Sequence, residues 1–154
     1  MNIAEDLIRD KNRALVSVGK DISVGEGIKL MARENVGCLL ISVDDKIEGI
    51  WTERDLVHNI AEHGFGIESH EISRYMSSPV LSCSWDESVY HLMDKFLGLR
   101  IRHILVEKDG RYIGLLSVGD VMKSVIRAKD HDLAQANSKL SWDYYEEWMY
   151  KSQS

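Results

Sequence analysis

The sequence predicts an α/β fold: two copies of one small unit, each running strand, helix, strand, strand, helix after a short leading helix, followed by a C-terminal helix. The chain aligns with itself at a constant offset of 65 without a gap, and the apolar pattern is kept throughout. Within each copy, short apolar runs alternate with a segment of helical spacing. Each copy also ends in the same pattern of glycine, two apolar residues, a hydroxyl residue, two variable residues and aspartate. These stretches are Gly49-Ile50-Trp51-Thr52-Glu53-Arg54-Asp55 and Gly114-Leu115-Leu116-Ser117-Val118-Gly119-Asp120.

The elements follow in order. Residues 3–10 read as a short helix, matched near 69–76. Leu15 to Val18 and Val80 to Cys83 read as short first strands. Val24, Ile28 and Met31, matched by Val89, Met93 and Phe96, have helical spacing, and Ser23 with Glu26 forms a capping-box signature. Cys38 to Val43 is a continuous apolar run, read as a buried strand that turns at Asp44 and Asp45 and returns through Trp51. The second copy repeats this with Ile104 to Val106, a turn at 108–110 and a return to Leu116. Helices are expected over 53–62 and 118–129. Gly64, Phe65 and Gly66 close the first copy, so the copies are set at 1–66 and 67–129. A three-stranded sheet with two helices on one face cannot cover itself, whereas two copies packed together bury a shared core. Residues 130–154 lie outside the repeat. They carry no glycine or proline and place Leu133, Leu140, Tyr144 and Trp148 on one helical face.

Bulk properties narrow the function. The 154 residues are 44% hydrophobic and 29% charged, as in ordinary globular proteins, and the net charge of -6 argues against general nucleic-acid binding. Cys38 and Cys83 fit neither a zinc spacing nor a disulfide framework and read as buried reduced thiols. The acidic N-terminus lacks the apolar core of a signal peptide, and no apolar run reaches the roughly 20 residues of a membrane span. The expected location is the cytosol. His58, His63 and His70 have no partners at a known metal spacing, and no nucleophile elbow or triad context surrounds the Ser, His and Asp residues, so neither a metal site nor a catalytic constellation is expected.

The repeated motif suggests a sugar-phosphate holder. A helix N-terminus offers free N–H groups and partial positive charge to a phosphate, and a carboxylate accepts from sugar hydroxyls. The alternative for Asp55 and Asp120 is helix capping alone.

A unit of this order ending in Gly-apolar-apolar-Thr/Ser-x-x-Asp resembles the cystathionine β-synthase (CBS) domain, and two in tandem resemble a Bateman module of the stand-alone prokaryotic type. Thr52-Glu53-Arg54-Asp55 looks like the variant of the motif common in bacterial and archaeal members. Arg102-His103-Ile104-Leu105-Val106 looks like their Arg-His-Leu-Pro-Val strand with leucine for proline. The resemblance covers residues 3–128. It implies a pseudo-twofold arrangement of the repeats with two clefts between them, holding an adenine nucleotide (AMP, ADP, ATP) or a related adenosyl ligand. Asp55 and Asp120 would hold ribose hydroxyls, and Thr52 and Ser117 phosphate or ribose. The first-strand serine of the opposite repeat would complete each cleft, Ser17 with Ser117 and Asp120, and Ser82 with Thr52 and Asp55. Arg102 and His103 would reach the phosphates.

At the positions of Arg102 and His103 the first copy has Gly37 and Cys38. Because phosphate needs cationic donors when desolvated, the cleft of Ser17, Arg102, His103, Ser117 and Asp120 is expected to be the stronger one. That of Ser82, Thr52 and Asp55 is expected to be the weaker. The function expected is a non-enzymatic nucleotide-sensing homodimer. The alternative is a structural interaction module with empty clefts. A protein partner is expected through Trp142, Tyr144 and Trp148 of the tail.

Overall fold

A computed structural model describes residues 2–133. It contains two three-stranded sheets, each with the first strand parallel and the third antiparallel to a central strand. The first comprises β1 (Ser17–Gly19), β2 (Cys38–Val43) and β3 (Lys46–Thr52), the second β4 (Ser82–Ser84), β5 (His103–Lys108) and β6 (Arg111–Ser117). Helices α1 (Ala4–Lys11), α2 (Val24–Glu34), α3 (Glu53–His63), α4 (Val89–Gly98) and α5 (Val118–Leu133) intervene in the order expected. The central strands are apolar runs buried on both faces, four residues from Cys38 to Ile41 in β2 and three, after His103, from Ile104 to Val106 in β5. The hairpin turns use residues that tolerate positive φ: Asp44 and Asp45 in the first copy, Asp109 and Gly110 in the second. The capping box at Ser23 forms, with the hydroxyl accepting from the Glu26 N–H at 3.1 Å and the Glu26 carboxylate accepting from the Ser23 N–H at 2.8 Å.

The core is divided rather than shared. One cluster gathers Cys83, Leu92, Phe96, Ile104, Val106, Leu116 and Val121 of the second copy, completed by Ala4 and Leu7 from α1. The other gathers Val24, Met31, Leu39, Ile41 and Trp51 of the first copy, completed by Ile67 and Ile72 from the opening of the second. Each copy thus lends its leading segment to the other. Isolated bridges pin the exchange, Ile3 to Ser88 on one side and Ser23 to Glu71 and Ile50 to Ser77 on the other. Ile67 lies past the expected boundary at 66 yet packs in the first copy's core.

Three expectations change. The helix expected over 69–76 is replaced by two short 3₁₀ turns, Phe65–Ser69 and Ile72–Arg74. This segment spends its backbone bonds on the opening of α2, with Val24 N–H donating to the His70 carbonyl and Ile72 N–H to the Ile22 carbonyl, both at 2.8 Å. In α2 and α4 the fully packed stripe is Val24, Gly27, Met31 and Val89, Leu92, Phe96, while Ile28 is 37% exposed. Finally, α5 runs without a break past 129 to Leu133. The rest of the expected tail, with Trp142, Tyr144 and Trp148, lies outside the described residues.

Candidate functional site

Each motif sits where a third strand hands over to a helix, and its hydroxyl is the N-cap of that helix. In the first copy the Thr52 hydroxyl accepts from the Asp55 N–H at 3.2 Å, and Asp55 Oδ2 accepts from the Thr52 N–H and hydroxyl, both at 2.8 Å. In the second, Asp120 Oδ2 accepts from the Ser117 N–H and hydroxyl, both at 2.7 Å. Capping and ligand-holding are therefore compatible, because in both carboxylates these bonds engage Oδ2 alone.

Two clefts open between the copies. The larger, of about 500 Å³, is lined by Thr52, Glu53, Arg54 and Asp55 from the first motif. Its opposite wall is the stretch 100–103, and residues 79–81 lead from it into β4. The smaller, of about 240 Å³, is lined by Ser117 and Asp120, by Val36, Gly37 and Cys38, and by residues 13–16 leading into β1. The larger cleft also reaches Gly37 and Ser117, Val118 and Gly119 of the second motif, so the two clefts adjoin; what separates them is that Asp55 and Arg102 line the larger alone, and Asp120 and Cys38 the smaller alone.

This lining rearranges the predicted site residues. Arg102 faces the Asp55 cleft and not the Asp120 cleft, where the sequence reading placed it. His103 lies at the border of both. Ser17 and Ser82 line neither cleft. The residues just before them, Val16 and Leu81, do so instead, and Ser82 opens onto a separate surface hollow beside Trp85 and Lys95. The Asp55 cleft is thus the one with unspent positive charge. Arg54, Arg100 and Arg102 all line it, and none of their guanidinium groups makes a hydrogen bond or ion pair among the described residues. Arg100 stands at φ 53, a left-handed turn that starts the approach to β5.

The Asp120 cleft contains a residue the sequence reading did not single out. Lys11, the last residue of α1, places its ammonium 2.8 Å from Asp120 Oδ2 and 3.0 Å from the Leu115 carbonyl. Burial opposes ionisation of Asp120, but the bonds from Lys11 and Ser117 outweigh it and hold the carboxyl below its ordinary value. Burial, reinforced by the charge of Lys11, pushes His103 below its usual range, so it is neutral at pH 7. Burial pushes both Cys38 and Cys83 up to about 11, so they are neutral thiols. His70 is committed to the Tyr75 hydroxyl at 2.6 Å, with the two rings stacked. The signal for Lys11 was present at the 65-residue offset, where its counterpart is Met76. A cation matched with an apolar residue inside a repeat marks a place where the copies differ in chemistry.

Comparison with known proteins agrees with this architecture. The family model of the CBS domain matches residues 4–62 and again 72–127. The CBS domain-containing protein CBSX3, mitochondrial, of Arabidopsis thaliana is 30% identical over 129 residues, covering 80% of this chain and 63% of its own length. The chain therefore spans less than two thirds of that relative. The crystal structure of the CBS-domain containing protein ATU1752 from Agrobacterium tumefaciens is 34% identical, covers 80% of this chain and 99% of its own, and superposes with a TM-score of 0.77. The CBS domain pair of protein MJ0100, solved in complex with 5'-methylthioadenosine and S-adenosyl-L-methionine, shares the fold at 22% identity and a TM-score of 0.70, covering 84% of this chain and 98% of its own. With both halves matched by the same family, and each half lending the other its leading segment, the chain belongs to the CBS-domain proteins and carries two CBS repeats in tandem.

Proposed function

We propose that this protein is a regulatory, non-catalytic module that binds an adenine nucleotide in the cleft around Thr52 and Asp55. The observation that carries this reading is the convergence of three unpartnered guanidinium groups, from Arg54, Arg100 and Arg102, on a cleft of about 500 Å³ beside a capped Thr and Asp pair. Guanidinium is suited to phosphate, and a cleft of this size holds a small organic ligand. Asp55 keeps Oδ1 for ribose hydroxyls. The adenosyl ligands of the MJ0100 domain pair support an adenosyl moiety here. No catalytic role is assigned to any residue.

Calorimetry with AMP, ADP, ATP, adenosine and 5'-methylthioadenosine tests the reading. Arg102→Ala is expected to weaken the phosphate-bearing ligands about ten- to a hundredfold, the worth of a charge-assisted bond, and to leave adenosine little changed. Asp55→Ala is expected to weaken all of them. Absence of heat with every adenosyl ligand overturns the proposal.

Dimer formation through α3 and α5 is the second part of the reading. Val57 and Met122 occupy equivalent positions on these helices and are 67% and 46% exposed, and α3 has no fully buried residue. A helix with apolar residues left on its outer face fits a symmetric interface between two copies. Light scattering on Val57→Glu with Met122→Glu should give a monomer where the native chain gives a dimer; an unchanged mass rules this interface out.

A further inference from the structure

Among the described residues, Lys11 is the charged side chain bonded to a motif aspartate; Asp55 is bonded only within its own motif. Asp120 Oδ2 already accepts from the Ser117 N–H and hydroxyl, and the Lys11 ammonium adds a third donor from outside the motif. Lys11 thus stands in the cleft making to the carboxylate the kind of bond a sugar hydroxyl would make. The counterpart of Lys11 at the 65-residue offset, Met76, packs against Gly49 and carries no donor to Asp55.

The other cations of this cleft are turned aside or neutral. Arg13 donates to the backbone carbonyls of Glu34 and Asn35 at the end of α2. His103 is kept neutral by burial and by Lys11 itself. The Lys11 ammonium is therefore the group placed to meet an anion there: it spends two of its three N–H donors on Asp120 and the Leu115 carbonyl, and a phosphate competes with Asp120 for its charge. Its side chain is 26% exposed and that of Asp120 27%, so the pair is partly solvated and exchangeable rather than locked.

We infer that Lys11 is the specificity-determining residue of the second cleft: its charge and its bond to Asp120 Oδ2 weaken the carboxylate as an acceptor for a neutral nucleoside, to which Oδ1 alone is left, and favour a sugar phosphate that the ammonium can meet. The two clefts then differ in kind. The Asp55 cleft presents arginines without partners, while the Asp120 cleft presents a lysine already bonded to the motif carboxylate.

This inference rests on the nucleotide reading above, and the test separates the two. In an Asp55→Ala background, with Asp55→Asn as the alternative that keeps an acceptor for the helix cap, calorimetry compares adenosine with AMP. Residual heat that disappears with Asp120→Ala belongs to the second cleft. Replacing Lys11 by Met, the residue of the other copy, should strengthen adenosine about fivefold and weaken AMP, the scale expected for releasing a partly exposed ion pair. Lys11→Arg should restore the preference for AMP. Equal weakening of both ligands, or adenosine left unchanged, overturns the inference while the first cleft of the native chain still binds. No binding by the native chain in either cleft overturns the nucleotide reading, and this inference with it.

Discussion

Gly27 of α2 faces the indole of Trp51: a Cβ added to this glycine would lie 3.5 Å from the Trp51 ring and 2.9 Å from Ile72 Cδ1. At the equivalent places the second repeat has Leu92 and Leu116, both fully buried. One repeat therefore fills its core with a very large and a very small residue, the other with two of middling size. Gly27→Leu alone should overpack the first core and cost about 1–3 kcal/mol. Trp51→Leu alone should leave a cavity and cost about 2–4 kcal/mol, including the bond from the indole N–H to Asn59 at 3.0 Å. The double variant recreates the second repeat's pair, so denaturant unfolding should show it at least about 1 kcal/mol more stable than the sum of the single losses. Strict additivity would show that the two positions do not share volume.

Gly114 of β6 lies beneath Ile8 of α1, and Gly49 of β3 beneath Met76, each so closely that a Cβ would overlap the side chain above it. Both are close approaches of a borrowed segment to a motif strand. Gly114→Ala should cost about 1–3 kcal/mol and Gly49→Ala less, because an unbranched thioether can swing aside more readily than a β-branched side chain held in a helix. Thermal unfolding of the two variants checks the order, and equal losses would contradict it.

The shifted groups set the pH dependence of stability. His103 has a folded value below its ordinary 6.5, so its contribution is present above 6.5 and is lost as pH falls through the lower folded value. Asp120 and Asp6 are likewise lowered from 3.8, and Glu26 from 4.5, by the hydrogen bonds their carboxylates accept, so their contributions persist to those pH values and are lost below them. Cys38 and Cys83, raised from 9.0 to about 11, contribute fully below 9 and progressively less as pH rises toward 11. Unfolding midpoints should therefore be flat from pH 7 to 9, fall in acid in two stages, and fall again above 9. His103→Gln should remove the first acid stage, and a first stage that survives it would refute this assignment. Both thiols should resist maleimide at pH 7 until the chain is unfolded.

Much of the fold could be read from the sequence because it is local. The Ser23 and Glu26 cap, the Asp44 and Asp45 turn, and the two glycine-to-aspartate junctions each depend on residues a few positions apart. The repeat supplied the rest by showing that both halves obey one pattern. What the repeat could not supply is which half faces which. An offset establishes that Arg102 corresponds to Gly37, but not that it looks toward Asp55 of the other copy, because that depends on a crossing of the chain with no local signature. The leading segments are illegible for the same reason: Ile67 and Ile72 are apolar wherever they pack, and only the packed structure places them with Trp51. Lys11 carries no motif at all, and its partner is 109 residues away.

The exchange of leading segments gives the stretches that leave them a mechanical role. Residues 12–16 run from α1, anchored in one core, to β1 of the other sheet, and form a wall of the Asp120 cleft. Residues 77–81 make the reverse journey beside the Asp55 cleft. Each is a strap tied at its two ends to different bodies, and each cleft lies directly under one. A molecule that wedges against a strap pulls on both cores at once, and the two straps run in opposite senses. If the proposed ligand binds under a strap, it would displace the repeats relative to one another without any dedicated hinge.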